Sequence, residues 1–245
     1  MKDMHPAGRM WHLYKMGGIT PALTSVFNQQ SAQQMAFIRH MMKEQRKDSL
    51  HDIPLRTMEL VIFDLETTGF AYSNGDEIIS FGGVAMTGGQ MTGEQFYSLV
   101  NPRRNIPEHI TELTGITNEE AREAPELMEV LKGFFEFVQQ KILVAHGTGH
   151  DKNFLNAALW KTSRVHLNHR VLDTMMIAKW LLPRRRYYDL DTLLEEFGIE
   201  ITLRHHALED SLMTAKLWSK LMQEIQSRGI DTLADLYAVL SHHHS

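Results

Sequence analysis

Three short blocks of this 245-residue sequence put acidic side chains where they could hold cations. The first is Phe63-Asp64-Leu65-Glu66-Thr67-Thr68-Gly69, in which two carboxylates two residues apart close an apolar run. The two-residue period of a strand sends both side chains to one face. Paired carboxylates there suit a hard divalent cation, whose charge they neutralise through oxygen ligands. Composition alone yields about one Asp-x-Glu in a chain of this length, and a solvated strand end is the plain alternative. Burial argues against that alternative, since Val61, Ile62 and Phe63 mark an interior strand. The Thr-Thr-Gly turn could also aim backbone N–H groups at a ligand.

The second block runs from Val144 through His146, Gly147, His150 and Asp151 to Phe154 and Leu155, a strand entering a helix with an acid in its first turn. Asp151 could simply favour the helix dipole. His146 and His150 have the spacing of a zinc pair, but Gly147 and Gly149 argue against a shared helix face. The third block, His205-His206-Ala207-Leu208-Glu209-Asp210-Ser211, opens a helix carrying Leu212, Ala215, Leu217 and Leu221 as packing positions. His166, His169 and the run His242-His243-His244 read as surface residues, and the run is either native or the remnant of a tag.

These blocks need elements to hold them. From Met58 the pattern is that of strands at 60–65, 77–86 and 95–100, parted by turns at Gly75 and Gly88-Gly89. Helical stretches follow at 108–113 and 126–140, then a strand at 142–145 and a helix at 152–161. A strand at 171–172 leads to a helix ending near Pro183, a short helix at 189–197 closed by Gly198, and a long one at 208–226 closed by Gly229. The fold class expected is α/β, a mixed sheet flanked by helices. Ahead of it, residues 21–47 space Leu23, Val26, Phe27, Met35, Phe37, Ile38 and Met41 as an amphipathic helix, and residues 48–57 read as a connector. The organisation expected is a basic helical extension over 1–57, a main domain over 58–228 that stands without it, and a C-terminal helix and tail over 229–245.

Taken together, the motifs resemble those of the DEDDh 3′–5′ exonucleases, the DnaQ-like group that includes the proofreading epsilon subunit of bacterial DNA polymerase III. Asp-x-Glu-Thr-Thr-Gly, Ala-His-x-x-x-x-Asp-x-x-Phe-Leu and His-x-Ala-Leu-x-Asp occur in that order, with supporting stretches at Ile106-Pro107, Thr114-Gly115-Ile116-Thr117, Leu172-Asp173-Thr174 and Leu190-Asp191-Thr192-Leu193. The resemblance covers about 58–226 and implies a ribonuclease-H-like core. By it, Asp64, Glu66, Asp151 and Asp210 are catalytic acids that hold two Mg²⁺ or Mn²⁺ ions, Asp64 bridging them. His205 takes the position of the catalytic base, with His206 as the competing assignment; imidazole, titrating near neutrality, suits that task. The tyrosine branch would have Tyr where His206 stands. Leu65, Thr67, Thr68, His146 and His150 would meet the 3′-terminal nucleotide. Two departures bear on that grip: Gly147 replaces the usual Asn, and His150 the phenylalanine that packs on substrate.

The implied activity is metal-dependent hydrolysis at single-stranded or frayed nucleic-acid 3′ ends, DNA first, releasing nucleoside 5′-monophosphates. An exoribonuclease is the alternative within the class, and a non-catalytic polymerase-associated module the alternative outside it. Charge is uneven: residues 1–57 carry +4, leaving −9 on the rest. An acidic body repels a polyanion, so cations or a local basic strip must offset it. The basic leader is the expected docking element for a DNA polymerase or repair protein. With no cysteine, disulfides, thiolate zinc sites and Cys nucleophiles are excluded. No apolar run approaches the roughly 18 residues of a spanning helix, so no membrane partner is expected and the location expected is cytoplasmic.

Overall fold

The computed structural model describes residues 21–44 and 53–243, with side chains from 29 and up to 241; the rest of the basic leader, the connector before Ile53 and the end of the histidine run lie outside them. A five-stranded sheet runs in the order β3-β2-β1-β4-β5. β1 (Glu59–Thr67), β2 (Ile78–Thr87) and β3 (Gln90–Leu99) form an antiparallel meander. β4 (Ile142–Ala145) and β5 (Val171–Asp173) extend it in parallel from the other edge of β1. This is the ribonuclease-H-like mixed sheet.

Helices cover both faces. α1 (Pro21–Lys43), α4 (Leu127–Val138) and α5 (Gly149–Ser163) lie over one face, where Val61, Phe63 and Leu65 of β1 meet Phe134, Phe135 and Phe154. On the other face α6 (Thr174–Leu181), α7 (Leu190–Glu196), α8 (Ala207–Ser227) and α9 (Leu233–His243) close over Leu60 and Ile62. Two short helices, α2 (Glu108–Thr114) and α3 (Asn118–Glu123), carry Ile110 and Ala121 into a small third cluster under Ile79. The hydrophobic alternation of β1 thus feeds two cores. Asp64 and Glu66 continue the Leu60–Ile62 face past the point where apolar partners run out.

Several elements depart from the sequence reading for identifiable reasons. β3 begins five residues early, because its first half is a polar, exposed edge without alternation. α3 was not anticipated, although Thr117 and Glu120 form a complete capping box that a Thr-x-x-Glu search finds. His169 is not a surface residue: it is 6% exposed, donates from Nε2 to the Gln139 carbonyl at 2.8 Å and lies tilted on Phe135. His166 does lie at the surface, stacked on Trp160.

The flanks are tied to the centre. Ile38 and Met42 of α1 are buried with Phe134 and Leu155, and Arg39 Nε donates to the Ser163 carbonyl at 2.9 Å. Leu55 is fully buried in the opposite core, and its N–H donates to Asp231. Pro54 bridges to Thr232, while Leu233 N–H reaches back to Ile53. Burying a large aliphatic side chain is worth about 1.5–3 kcal/mol. Deletion of residues 1–55 removes three, so a loss of about 5 kcal/mol or more is expected, set against a typical total of about 5–15 kcal/mol. Melting of the 1–55 truncation at the temperature of the full chain would show that α1 and Leu55 contribute nothing to the fold.

Candidate active site

The sheet delivers its carboxylates to one end. Asp64 and Glu66 sit at the C-terminal end of β1, while β4, parallel beside it, hands the chain through His146 and Gly147 into α5, whose first turn holds Asp151. Asp210 lies in the first turn of α8. A glycine makes this convergence possible. Gly82 on β2 pairs directly with Asp64, and a Cβ added to it would lie 2.0 Å from the Ala207 carbonyl oxygen at the start of α8. The helix terminus therefore rests backbone against backbone on the strand, beside Asp64. Nothing in the linear spacing of the motifs signals that contact.

The resulting cleft, about 280 Å³, is lined by Asp64, Leu65, Glu66, His146, His150, Asp151, Arg204, His205 and Asp210 among others. Ligand atoms of Glu66, His205 and Asp210 all lie within 4.8 Å of one another. Asp151 and Asp210 are each 4% exposed. Burial, followed by the charges of Asp151, Glu66 and Asp210, pushes the Asp64 carboxyl well above the usual carboxylate range. Burial and then Asp210 and Asp151 bring Glu66 up to about 8. Asp151 rises to about 7, chiefly by burial, and is held from going further by hydrogen bonds from its own N–H and that of Leu65. Asp210 is raised by burial as well, against the pull of Arg204.

Arg204 is the positive charge inside this cluster. Its Nη1 is bonded to Asp210 and its Nε to Asp191 on α7. Sequence reasoning passed over it because it lies just outside the third block. Next to it His205 adopts φ +59°, the left-handed region, and its backbone N–H donates to the second Asp210 oxygen at 2.9 Å. That turn frees the His205 ring for the cleft. His206 is used differently: its Nδ1 accepts the Glu209 N–H at the start of α8, and its ring stacks on Tyr97 at 4.7 Å.

The five residues matched to nucleotide contacts are distributed unevenly. Leu65, His146 and His150 line the cleft. His146 has both ring nitrogens engaged, with Thr174 Oγ1 at 2.8 Å and the Tyr188 carbonyl at 2.9 Å. The carbonyl can only accept, so Nε2 carries a proton, and burial keeps the imidazole pKa below its usual value. His150 Nε2 lies 3.3 Å from Thr67 Oγ1, and Phe70 packs edge-on against its ring. The two threonine hydroxyls turn into the loop instead. Thr67 donates to the Gly69 carbonyl, whereas Thr68, 2% exposed, donates to Asp76 and accepts from the Glu77 N–H. Asp173, the cap of α6, clamps the other wall: its carboxylate accepts from the N–H groups of Gly147, Thr148 and Met175.

A family model described as "Exonuclease" matches residues 61–218, a span containing all four acids and His205. The chain belongs to this exonuclease family. Among relatives of this exonuclease domain, the DNA polymerase III PolC-type protein of Bacillus subtilis is 36% identical over 171 residues, covering 69% of the chain and 12% of that protein. The DNA polymerase III subunit epsilon-like protein of Rhodobacter capsulatus is 32% identical over 200 residues, 80% of the chain and 28% of that protein. The chain thus spans well under a third of either relative. Its fold is shared with exonuclease X in complex with 5′ overhanging duplex DNA (TM-score 0.56, 23% identity, 67% of this chain and 91% of that one). It is shared also with the nuclease domain of 3'hExo, a DEDDh family member bound to rAMP (TM-score 0.60, 22% identity, 68% and 92%). Among the described residues, no helix is long and apolar enough to cross a membrane.

Proposed function

We propose that this exonuclease domain is a divalent-metal-dependent 3′–5′ exonuclease that releases nucleoside 5′-monophosphates from single-stranded or frayed DNA ends. The observation that carries the reading is the convergence of Asp64, Glu66, Asp151 and Asp210 on one cleft, within reach of His205. The donor set fits Mg²⁺ or Mn²⁺: hard carboxylate oxygens, no thiolate, and buried acids whose mutual repulsion calls for more positive charge than Arg204 supplies. Asp64, Glu66, Asp151 and Asp210 would hold two such ions. Bound there, the ions supply charge to both the attacking and the leaving oxygen of an in-line phosphoryl displacement.

The chain's own groups supply the rest. His205 accepts the proton of the attacking water, its ring presented by the left-handed turn that Asp210 pins. Leu65, whose side chain is buried in the aromatic core, serves the cleft through its backbone, the N–H holding the Asp151 carboxylate. His146 braces the wall without a free nitrogen for chemistry. The catalytic groups proposed all fall within residues 58–228, braced by α1, Leu55 and α9, and the leader ahead of α1 is the proposed docking element for a polymerase, in keeping with the PolC-type relatives. An exoribonuclease is the second reading, favoured by the shared fold of the rAMP-bound DEDDh nuclease domain. The acids do not distinguish sugars; contacts to the 2′-OH do.

Incubating 5′-labelled DNA and RNA of one sequence with Mg²⁺ or Mn²⁺ tests both readings. A ladder shortening from the 3′ end is expected, faster on DNA. No shortening of either strand, or shortening from the 5′ end, would overturn the proposal. The base assignment has its own check. His205→Ala should lower turnover by about 10² to 10⁴-fold, the usual contribution of a general base. His206→Ala should instead cost about 1 kcal/mol of stability through the lost cap, with turnover near wild type. Comparable turnover losses in the two variants would contradict the assignment.

A further inference from the structure

We propose that the arginine-rich loop at residues 183–187 is a guide for single-stranded nucleic acid, gripping the nucleotides immediately 5′ to the cleft; this rests on the exonuclease reading above. The problem that such a guide solves is electrostatic. The chain carries a net charge of −5, and its cleft is lined by five carboxylates, Asp189 beside the four proposed ligands, so a polyanionic strand meets repulsion outside the few ångströms that cations neutralise.

Between α6 and α7 the sequence reads Pro183-Arg184-Arg185-Arg186-Tyr187, all five residues exposed. Among the described residues, Arg185 pairs with Glu196, whereas Arg184 and Arg186 have no carboxylate within ion-pair distance. The Arg186 guanidinium lies 5.2 Å from the centre of the Tyr187 ring, and that ring is 57% exposed. An arginine beside an exposed aromatic ring, with a second unpaired arginine two positions earlier, makes the pairing that single strands favour, phosphates on arginine and bases stacked on the ring.

The loop is also anchored to the cleft. The Leu182 carbonyl accepts both the Arg185 N–H at 3.1 Å and the Tyr188 hydroxyl at 2.6 Å, closing the loop on itself. The Tyr188 carbonyl takes the His146 Nε2 proton at 2.9 Å, and the next two residues, Asp189 and Leu190, form part of the cleft lining. Tyr187 is therefore at most roughly 7 Å of extended backbone from the lining. The arginines sit on a preformed ledge, so little ordering cost falls on binding.

The test uses the full chain with a 5′-fluorescein oligothymidylate, Ca²⁺ replacing the active cation, and KCl titrated. Turnover of the small ester p-nitrophenyl thymidine 5′-phosphate, which carries no nucleotide 5′ to the scissile bond, reports on the cleft. Arg184→Ala with Arg186→Ala should weaken oligonucleotide binding and flatten the plot of log affinity against log salt by about 1.4, two single-strand phosphate contacts. Tyr187→Ala should weaken binding by about 5- to 150-fold with the slope retained. If affinity and slope stay at wild-type values while the ester is still hydrolysed, the guide does not exist and the loop is left for an acidic protein partner. If the wild-type chain neither hydrolyses the ester nor binds the oligonucleotide, the exonuclease reading itself fails.

Discussion

Replacing Asp64 with alanine is expected to abolish hydrolysis while the protein, in the presence of a chelator, melts no lower than wild type. Asp64 lies at the centre of the acidic cluster, its ionised form opposed by burial and by Asp151, Glu66 and Asp210 together. Removing it takes away one of the four proposed cation ligands, and a loss of at least about a thousandfold in rate is expected, several kcal/mol of transition-state stabilisation. The same deletion relieves like-charge repulsion, which is why stability should not fall. Asp210→Ala should be as inactive yet less forgiving. It leaves Arg204 with Asp191 alone and strips the His205 N–H of its acceptor. Near-wild-type cleavage by either variant at saturating Mn²⁺ would refute the two-cation reading.

The second large effect is in how pH and metal jointly set stability. Glu66 ionises near 4.5 when unfolded and at about 8 in the fold, and Asp151 at about 7. Such groups hold a proton more tightly folded than unfolded, so stability is fullest below about pH 4 as far as they are concerned and declines as pH climbs toward 8. At 1.36 kcal/mol per unit, Glu66 alone represents on the order of a few kcal/mol. With chelator present, the melting temperature at pH 8 should thus lie roughly 5 to 10 °C below that at pH 5.5. Mn²⁺ binds the ionised carboxylates, so its stabilisation should be small at pH 5.5 and large at pH 8, levelling or reversing the trend. A melting temperature independent of pH under chelation would show that these acids do not repel one another as their burial implies.

Much of this site is legible in the sequence. The Asp64–Glu66 pair, Asp151 in a first turn and Asp210 five residues after His205 all stand where strand alternation and helix starts put them. Local patterns carry that information because period and capping are short-range. What could not be read are the long-range contacts. Arg204 joins the cluster because α7 brings Asp191 to it, 13 positions away. Asp173 closes on Gly147 and Thr148 from the next strand, and Leu55 packs into a core built by the C-terminal helices, its N–H on the Asp231 carbonyl. His169 reads as a surface residue from sequence alone, yet Phe135 of α4 and the Gln139 carbonyl enclose it.

The contact between Gly82 and the Ala207 carbonyl makes a single added carbon atom an off-switch. Gly82 bears no charge, donates nothing from a side chain and touches no substrate, yet a methyl group there would act as a shim between sheet and helix. Asp210 and His205 would be levered away from Asp64 and Glu66 with every ligand still in the sequence. In a saturation scan of the chain, Gly82 should therefore be as intolerant as the carboxylates. Two kinds of constraint meet across one rung of the sheet: Asp64 is fixed by its chemistry, and the residue paired with it by its volume.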